Sequence, residues 1–307
     1  MVAHSKENFD AHSSHSFVLG NDLWGGQTDE HKTASFSYEF VTDDIPSILE
    51  QYLEQNGQNY FSFSMNWEAY TPKDLVSTEV VTDQRPYAGW LYVQMALIET
   101  KGALRSAKGF QAGIVGESAK GEEIQHFVHD LTDSKEVNGW DNQLKDEPGV
   151  NLFYQSAYRY RWPTRFEDVI QETIVHSGAS LGNVSTFIEG GGIYRFGYNI
   201  KDDWMMRHRS EHSWGLGSRE ERKPFAVYWF IRASGRWVIR DIFIEGNTIK
   251  DSHGLDKKNW VSIFSTGVVT EWKQFTTGYS YNKLSEQYPG AGSDERGVFF
   301  FSYSSLY

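Results

Sequence analysis

A 307-residue chain with no cysteine and a net charge of −12 excludes a disulfide framework, a zinc-thiolate site and a cysteine nucleophile, and it argues against a nucleic-acid binder, which would carry a basic footprint. It holds 11 Trp, 17 Tyr and 20 Phe, yet its mean hydropathy is −0.55, so the rings are interleaved with polar residues. No stretch approaches the ~18 consecutive apolar residues of a transmembrane helix, but a membrane β-barrel stays open, because its strands need apolar side chains only at alternate positions.

Taken in chain order, residues 1–16 read as a flexible N-terminal segment. They lack the apolar core of a signal peptide, so the protein is either cytosolic or has had its signal removed and a start Met added. A first strand ends at Asn21 and Asp22. In "TASFSYEF" the residues Ala34, Phe36, Tyr38 and Phe40 share one face, against Thr33, Ser35, Ser37 and Glu39 on the other. Phe61, Phe63, Met65 and Trp67 oppose Ser62, Ser64, Asn66 and Glu68 in the same way. Leu152, Tyr154, Tyr158, Tyr160 and Trp162 oppose Asn151, Gln155, Arg159 and Arg161. Phe225, Val227, Trp229 and Ile231 face away from Tyr228, Arg232 and Ser234, and the last strand puts Phe299, Phe301, Tyr303 and Tyr307 on one side.

Alternation alone does not say which face is inside. Aromatics near strand ends, long segments and a chain that stops on a strand favour a membrane barrel over a soluble sandwich. Gly, Asn and Asp mark turns at 55–59, 146–150, 200–204, 245–248 and 289–297. One domain, 1–307, is the simplest organisation.

Residues 118–135 break the strand pattern. Ile124, Val128 and Leu131 recur at helical spacing, and Gln125 and His129, four apart, share another face. A helix-borne histidine can act as a general base near neutral pH, with the amide beside it orienting a water or an ester carbonyl; two polar residues on a surface helix would read the same way. Asn21 and Asp22 offer hard oxygen ligands for Ca²⁺ or Mg²⁺, or form an ordinary turn. There is no zinc-peptidase, nucleophile-elbow or phosphate-loop motif. In "QRPYAGW", Pro86 fixes φ at a strand beginning. Arg85 is expected to pair with Asp83 or Glu68 inside the barrel, with a substrate phosphate as its other candidate partner.

Together "GND" on the first strand, "TDEHKTAS", "YTPKD", "QRPYAGW", "QHFVHDLTDSKEVNGWDNQLKDEPG" and "RDIFIEGNTIKDSH" occur in the order seen in the outer-membrane lipid A 3'-O-deacylases of Gram-negative bacteria, and the chain resembles that family from about residue 17 to its end. The resemblance implies an outer-membrane antiparallel β-barrel of twelve strands with its active site between the wall and a short helix. It also implies Ca²⁺-dependent removal of the 3'-linked acyloxyacyl group of lipid A. Carried over by position, His129 is the general base and Gln125 its helix neighbour, Asn21 and Asp22 lie at the metal and oxyanion side, and Thr33 opens the second strand. Lys73 matches a lysine placed to meet a lipid A phosphate, and Arg85 stays a second candidate for substrate binding. Where the family can carry a glutamate six residues after the histidine, this chain has Lys135, flanked by Asp133 and Glu136, and Glu136 is taken as the third metal ligand. The expected partners are lipid A and the outer membrane, with no nucleic acid and no protein partner, the chain acting as a monomer. A passive porin or adhesion barrel and a soluble carbohydrate-binding β-protein are the competing readings.

Overall fold

The computed structural model describes residues 13–25, 31–53, 57–132, 137–200, 204 and 224–305, and of residues 127–132 the helical backbone alone. Alternating sequence becomes strand after strand: β1 (Ser13–Asn21), β2 (His31–Thr42), β3 (Gln58–Thr71), β4 (Ala88–Lys101), β5 (Leu104–Val115) and β6 (Glu147–Trp162). The second half supplies β7 (Val169–Gly182), β8 (Ser185–Tyr198), β9 (Phe225–Asp241), β10 (Trp260–Trp272), β11 (Phe275–Leu284) and β12 (Asp294–Ser304). Each pairs antiparallel with its chain neighbours, and β1 also pairs with β12 from Ser14↔Ser304 to Asn21↔Gly297, closing a twelve-stranded barrel. Closure leaves no sheet edge unpaired.

Two-residue turns mark the end at which β1 starts and β12 finishes. Lys101 pairs with Leu104 across Gly102, whose φ of 59° is the left-handed conformation such a hairpin needs, and Trp272 pairs with Phe275 across Lys273 at φ 53°. The opposite, loop-bearing end carries Asn21, the loop 72–87, the segment 116–146 and the loops 242–259 and 285–293.

The question that alternation left open is settled by exposure. Phe17, Phe36, Met65, Leu152, Tyr158, Trp229, Phe299 and Phe301 are exposed on the outer wall, while Ser37, Glu39, Asn66, Gln94, Gln111, Asn151, Arg195 and Arg232 are buried inside. An apolar band of this size has no stable place in water but matches the lipid-facing wall of a membrane barrel. Many of the interior polar groups satisfy one another. Ser62 donates to Glu39 at 2.7 Å, Ser37 to Asn66 at 2.6 Å, and Asn151, Gln111 and Gln94 form a chain of amides at 2.9 Å. Elsewhere inside the barrel Glu172 pairs with Arg195 and Arg161, and Glu189 with Arg232 and Arg236. A water-filled channel would leave these side chains accessible; Glu172, Arg195, Glu189 and Arg232 are buried against their partners instead, with Arg161 and Arg236 partly exposed.

An apolar plug caps the loop end. Asp241 accepts the Phe243 N–H at 3.0 Å and so starts the one-turn helix α3 (Ile242–Glu245), the third helix after α1 (Ser47–Glu50) and α2 (Gly121–Thr132). All three of Ile242, Phe243 and Ile244 are buried, and Phe243 stacks on Tyr70 with centroids 4.0 Å apart.

Two sequence expectations are corrected here. Residues 13–16, expected in a flexible segment, form the start of β1, because each pairs with β2. Residues 147–150, expected in a turn, belong to β6; Pro148 lies opposite Ile114 but precedes Asn151, the first residue laddered to β7, so its missing N–H costs nothing on that side.

Candidate active site

Helix α2 lies on the outside of the barrel, over β2 to β4. The wall there carries the small residues Ala34, Ala69 and Gly89 beside Trp67, where the rest of it carries larger aromatic and aliphatic side chains. Ala34 and Ala69 pair across β2 and β3, and a Cβ added to Gly89 on β4 would come within 3.0 Å of the Ala119 Cβ. Into this seat pack Ile124, Val137 and Trp140, in one cluster with Trp67, Ala69, Leu75 and Tyr87. Trp67 donates its indole N–H to the Ala119 carbonyl at 2.9 Å. Asp146 receives the Ser118 N–H at 2.8 Å and its hydroxyl at 2.6 Å, tying the turn before the helix to the start of β6. Of the expected apolar stripe, Ile124 faces the wall as its period requires; the Val128 and Leu131 side chains lie outside the described residues.

The first strand and the second deliver their residues to the same rim. Asn21 pairs with Ala34, and the Asp22 N–H reaches the Thr33 carbonyl at 3.3 Å. The β2–β3 register shifts between His31 and Ala34, and His31, a non-glycine residue at φ 70°, turns the chain into that bulge. The bulge takes Thr33 out of the regular ladder, and its hydroxyl bonds to that of Thr71, both fully buried. Asn21 Oδ1 and Asp22 Oδ1 each accept the Leu23 N–H, at 2.8 and 2.9 Å.

Gln125 is buried on the inner side of α2. Its Oε1 accepts the Trp140 indole N–H at 2.8 Å, and its Nε2 meets no partner among the described residues. Asn21, Asp22 and Thr33 therefore meet at the rim beside Ala34, and Ala34 and Ile124, the residue before Gln125, pack against the same cluster of wall residues. His129 follows one helical turn after Gln125 on the same face; its side chain lies outside the described residues, as does Glu136 altogether. Lys73 sits exposed on the loop after β3.

Arg85 departs from expectation. It pairs with neither Asp83 nor Glu68, because Glu68 is already occupied by Lys32 at 3.2 Å and by the hydroxyls of Tyr70 and Tyr92. The guanidinium instead lies 5.3 Å from the Tyr70 ring and 5.9 Å from that of Tyr288, with one long bond to Gln287 at 3.5 Å, and is buried. Tyr87 of the same corner braces the helix segment: its ring meets Trp140 at 5.0 Å, its carbonyl accepts the Leu144 N–H at 2.9 Å and its hydroxyl reaches the Leu75 carbonyl.

The family whose description reads "Outer membrane protein LpxR" matches residues 1–305. The chain belongs to the LpxR family. It is an outer-membrane barrel of the kind its motifs resembled. Among solved structures, LpxR from Salmonella typhimurium superposes with a TM-score of 0.82, covering 96% of this chain and 100% of that one at 15% identity, a likeness of fold. The β domain of the Bordetella autotransporter BrkA reaches 0.47 at 11% identity over 95% of this chain and 98% of its own, too distant to carry an argument. No curated protein matches the chain.

Within this LpxR-family barrel, sequence reasoning passed over Trp140, Thr71 and His31. Thr71 stands in "YTPKD" and Trp140 in "NGWDN", both among the motif blocks, but their partners lie 38 and 15 residues away, and no spacing rule connects them.

The donor set at the rim suits Ca²⁺ in kind. Asp22 supplies a carboxylate, Asn21 an amide oxygen and Thr33 a hydroxyl, all hard oxygen donors with no sulfur or imidazole among them. Among the described residues no three carboxylate or imidazole side chains cluster as a metal site, so a cation here would also take backbone oxygens or Glu136.

Proposed function

We propose that this protein is a lipid A 3'-O-deacylase that hydrolyses the ester linking the 3' acyloxyacyl group. The observation that carries the reading is the seat of α2 on the lipid-facing wall, beside the ends of β1 and β2. A lipid-embedded substrate reaches that surface directly, whereas a site in the packed lumen would be closed to it.

In this reading His129 takes a proton from water as the water oxygen adds to the ester carbonyl carbon. The C–O bond to the sugar then breaks, and the proton on His129 passes to the departing 3' oxygen, leaving a free fatty acid and a sugar hydroxyl. Gln125 and Asn21 stand beside the carbonyl oxygen and Thr33 next to them, where hydrogen-bond donors favour the charge that develops. Asp22 and Asn21, with Glu136, would hold Ca²⁺, which when bound supplies further positive charge to that oxygen. Lys73 on the outer loop is placed for a substrate phosphate. Arg85, buried between the Tyr70 and Tyr288 rings, serves the scaffold in this reading and does not meet the substrate.

The test is release of free fatty acid from lipid A by the detergent-refolded protein and by His129→Ala. A loss of about 10²-fold or more is expected, with heat-modifiable gel migration unchanged. Full activity in the variant removes the base assignment.

A further inference from the structure

The Trp140–Gln125 contact fixes more than a packing arrangement. An indole N–H donates and cannot accept, so the oxygen of the Gln125 amide must face Trp140. The amide nitrogen, Nε2, is thereby turned the other way, buried and without a partner among the described residues. A buried donor left unmet is costly unless something with a lone pair comes to it.

Trp140 itself has one place to be. Its ring lies on Gly121, where an added Cβ would come within 2.4 Å of it, and Tyr87 closes in from another side at 5.0 Å. Gly139 lets Tyr87 approach, since a Cβ there would stand 2.4 Å from the tyrosine ring. The indole is buried and cannot swing to follow the amide.

We propose that Trp140 is a positioning residue that locks the Gln125 amide with its NH₂ group turned to donate to the ester carbonyl oxygen of the substrate. This rests on the deacylase reading above. Without the lock the amide can rotate by half a turn and offer its oxygen, which repels a developing oxyanion instead of stabilising it.

The experiment compares kcat and KM on lipid A for the wild type, Trp140→Phe, Gln125→Ala and the double variant, with Trp140→His as a second donor-bearing ring. Trp140→Phe keeps a ring and loses the N–H; we expect kcat to fall about tenfold, the scale of one hydrogen bond, with KM unchanged. Trp140→His should recover part of the loss. In the Gln125→Ala background Trp140→Phe should cost nothing more, an outcome that a merely structural tryptophan would not give. Equal losses in both backgrounds, or no loss in either, overturn the proposal.

An inactive wild type would count against the deacylase reading, and the lock is then tested by NMR. The indole ¹⁵N–¹H signal missing from Trp140→Phe or Trp140→His must move in Gln125→Ala, and an unmoved signal overturns it.

Discussion

Asp22 contributes two things at once, a backbone N–H to Thr33 and a buried carboxylate at the rim. Replacing it with Ala keeps the first and removes the second. Deacylation by the wild type should therefore stop on addition of a Ca²⁺ chelator and return with Ca²⁺, while Asp22→Ala should need a higher Ca²⁺ concentration for half-maximal rate, measured by titration. A chelator without effect on the wild type would remove the cation from the account. Thr71 is the complementary case, since its hydroxyl partners Thr33. Thr71→Val leaves the Thr33 hydroxyl short of that partner in a buried place, a loss of about 1–3 kcal/mol. It should lower the temperature at which the barrel changes its gel migration, and an unchanged midpoint would show that the pair adds nothing. These rim residues were legible as types, Asn, Asp and Thr near strand ends. Their convergence was not, because it depends on a register shift at His31 that alternation does not announce.

At the scale of the element, α2 stays on the wall through small residues beneath it and a carboxylate at its entry. Gly89→Val would force β-branched bulk into a seat where a single Cβ is already 3.0 Å from Ala119, an overpacking cost of about 1–3 kcal/mol. Hydrogen exchange should then accelerate in α2 while the barrel strands stay protected; slow exchange in both would show that the seat tolerates the bulk. Asp146 adds a pH dependence. Burial works against its charge, but the Ser118 hydroxyl and N–H outweigh that and hold its carboxyl below the ordinary range. A carboxyl lowered on folding stabilises above its unfolded value, about 3.9, and the contribution is lost as pH falls through the folded value. Protection of the Ser118 amide should thus fall off in acid, and Asp146→Asn should flatten that dependence. The helix itself was readable from the spacing of Ile124, Val128 and Leu131. Its docking on the outside, and the contact of Trp140 with Gln125, are long-range and left no periodic trace.

For the whole molecule, the period-two pattern was enough to expect strands, and the motif order enough to expect a twelve-stranded barrel. Neither said that the lumen would be filled. Glu172 and Glu189 hold Arg195, Arg232 and Arg236 inside, and α3 plugs the loop end. Broken ion pairs in such a place leave an uncompensated buried charge, so the interior should stay shut, and purified protein in a planar bilayer should carry no steady current. A porin-like conductance would contradict the packed lumen. The Arg85 expectation failed for a related reason: which acid an arginine meets is decided by competition, and Glu68 is taken by Lys32, Tyr70 and Tyr92.

The most direct test of the central claim, that an ester is hydrolysed on the lipid-facing wall, is the mass of lipid A after incubation with the refolded barrel and Ca²⁺. The account predicts a product lighter by the 3' acyloxyacyl group, with the matching acid released. An unchanged lipid A mass in the presence of correctly folded protein would contradict it.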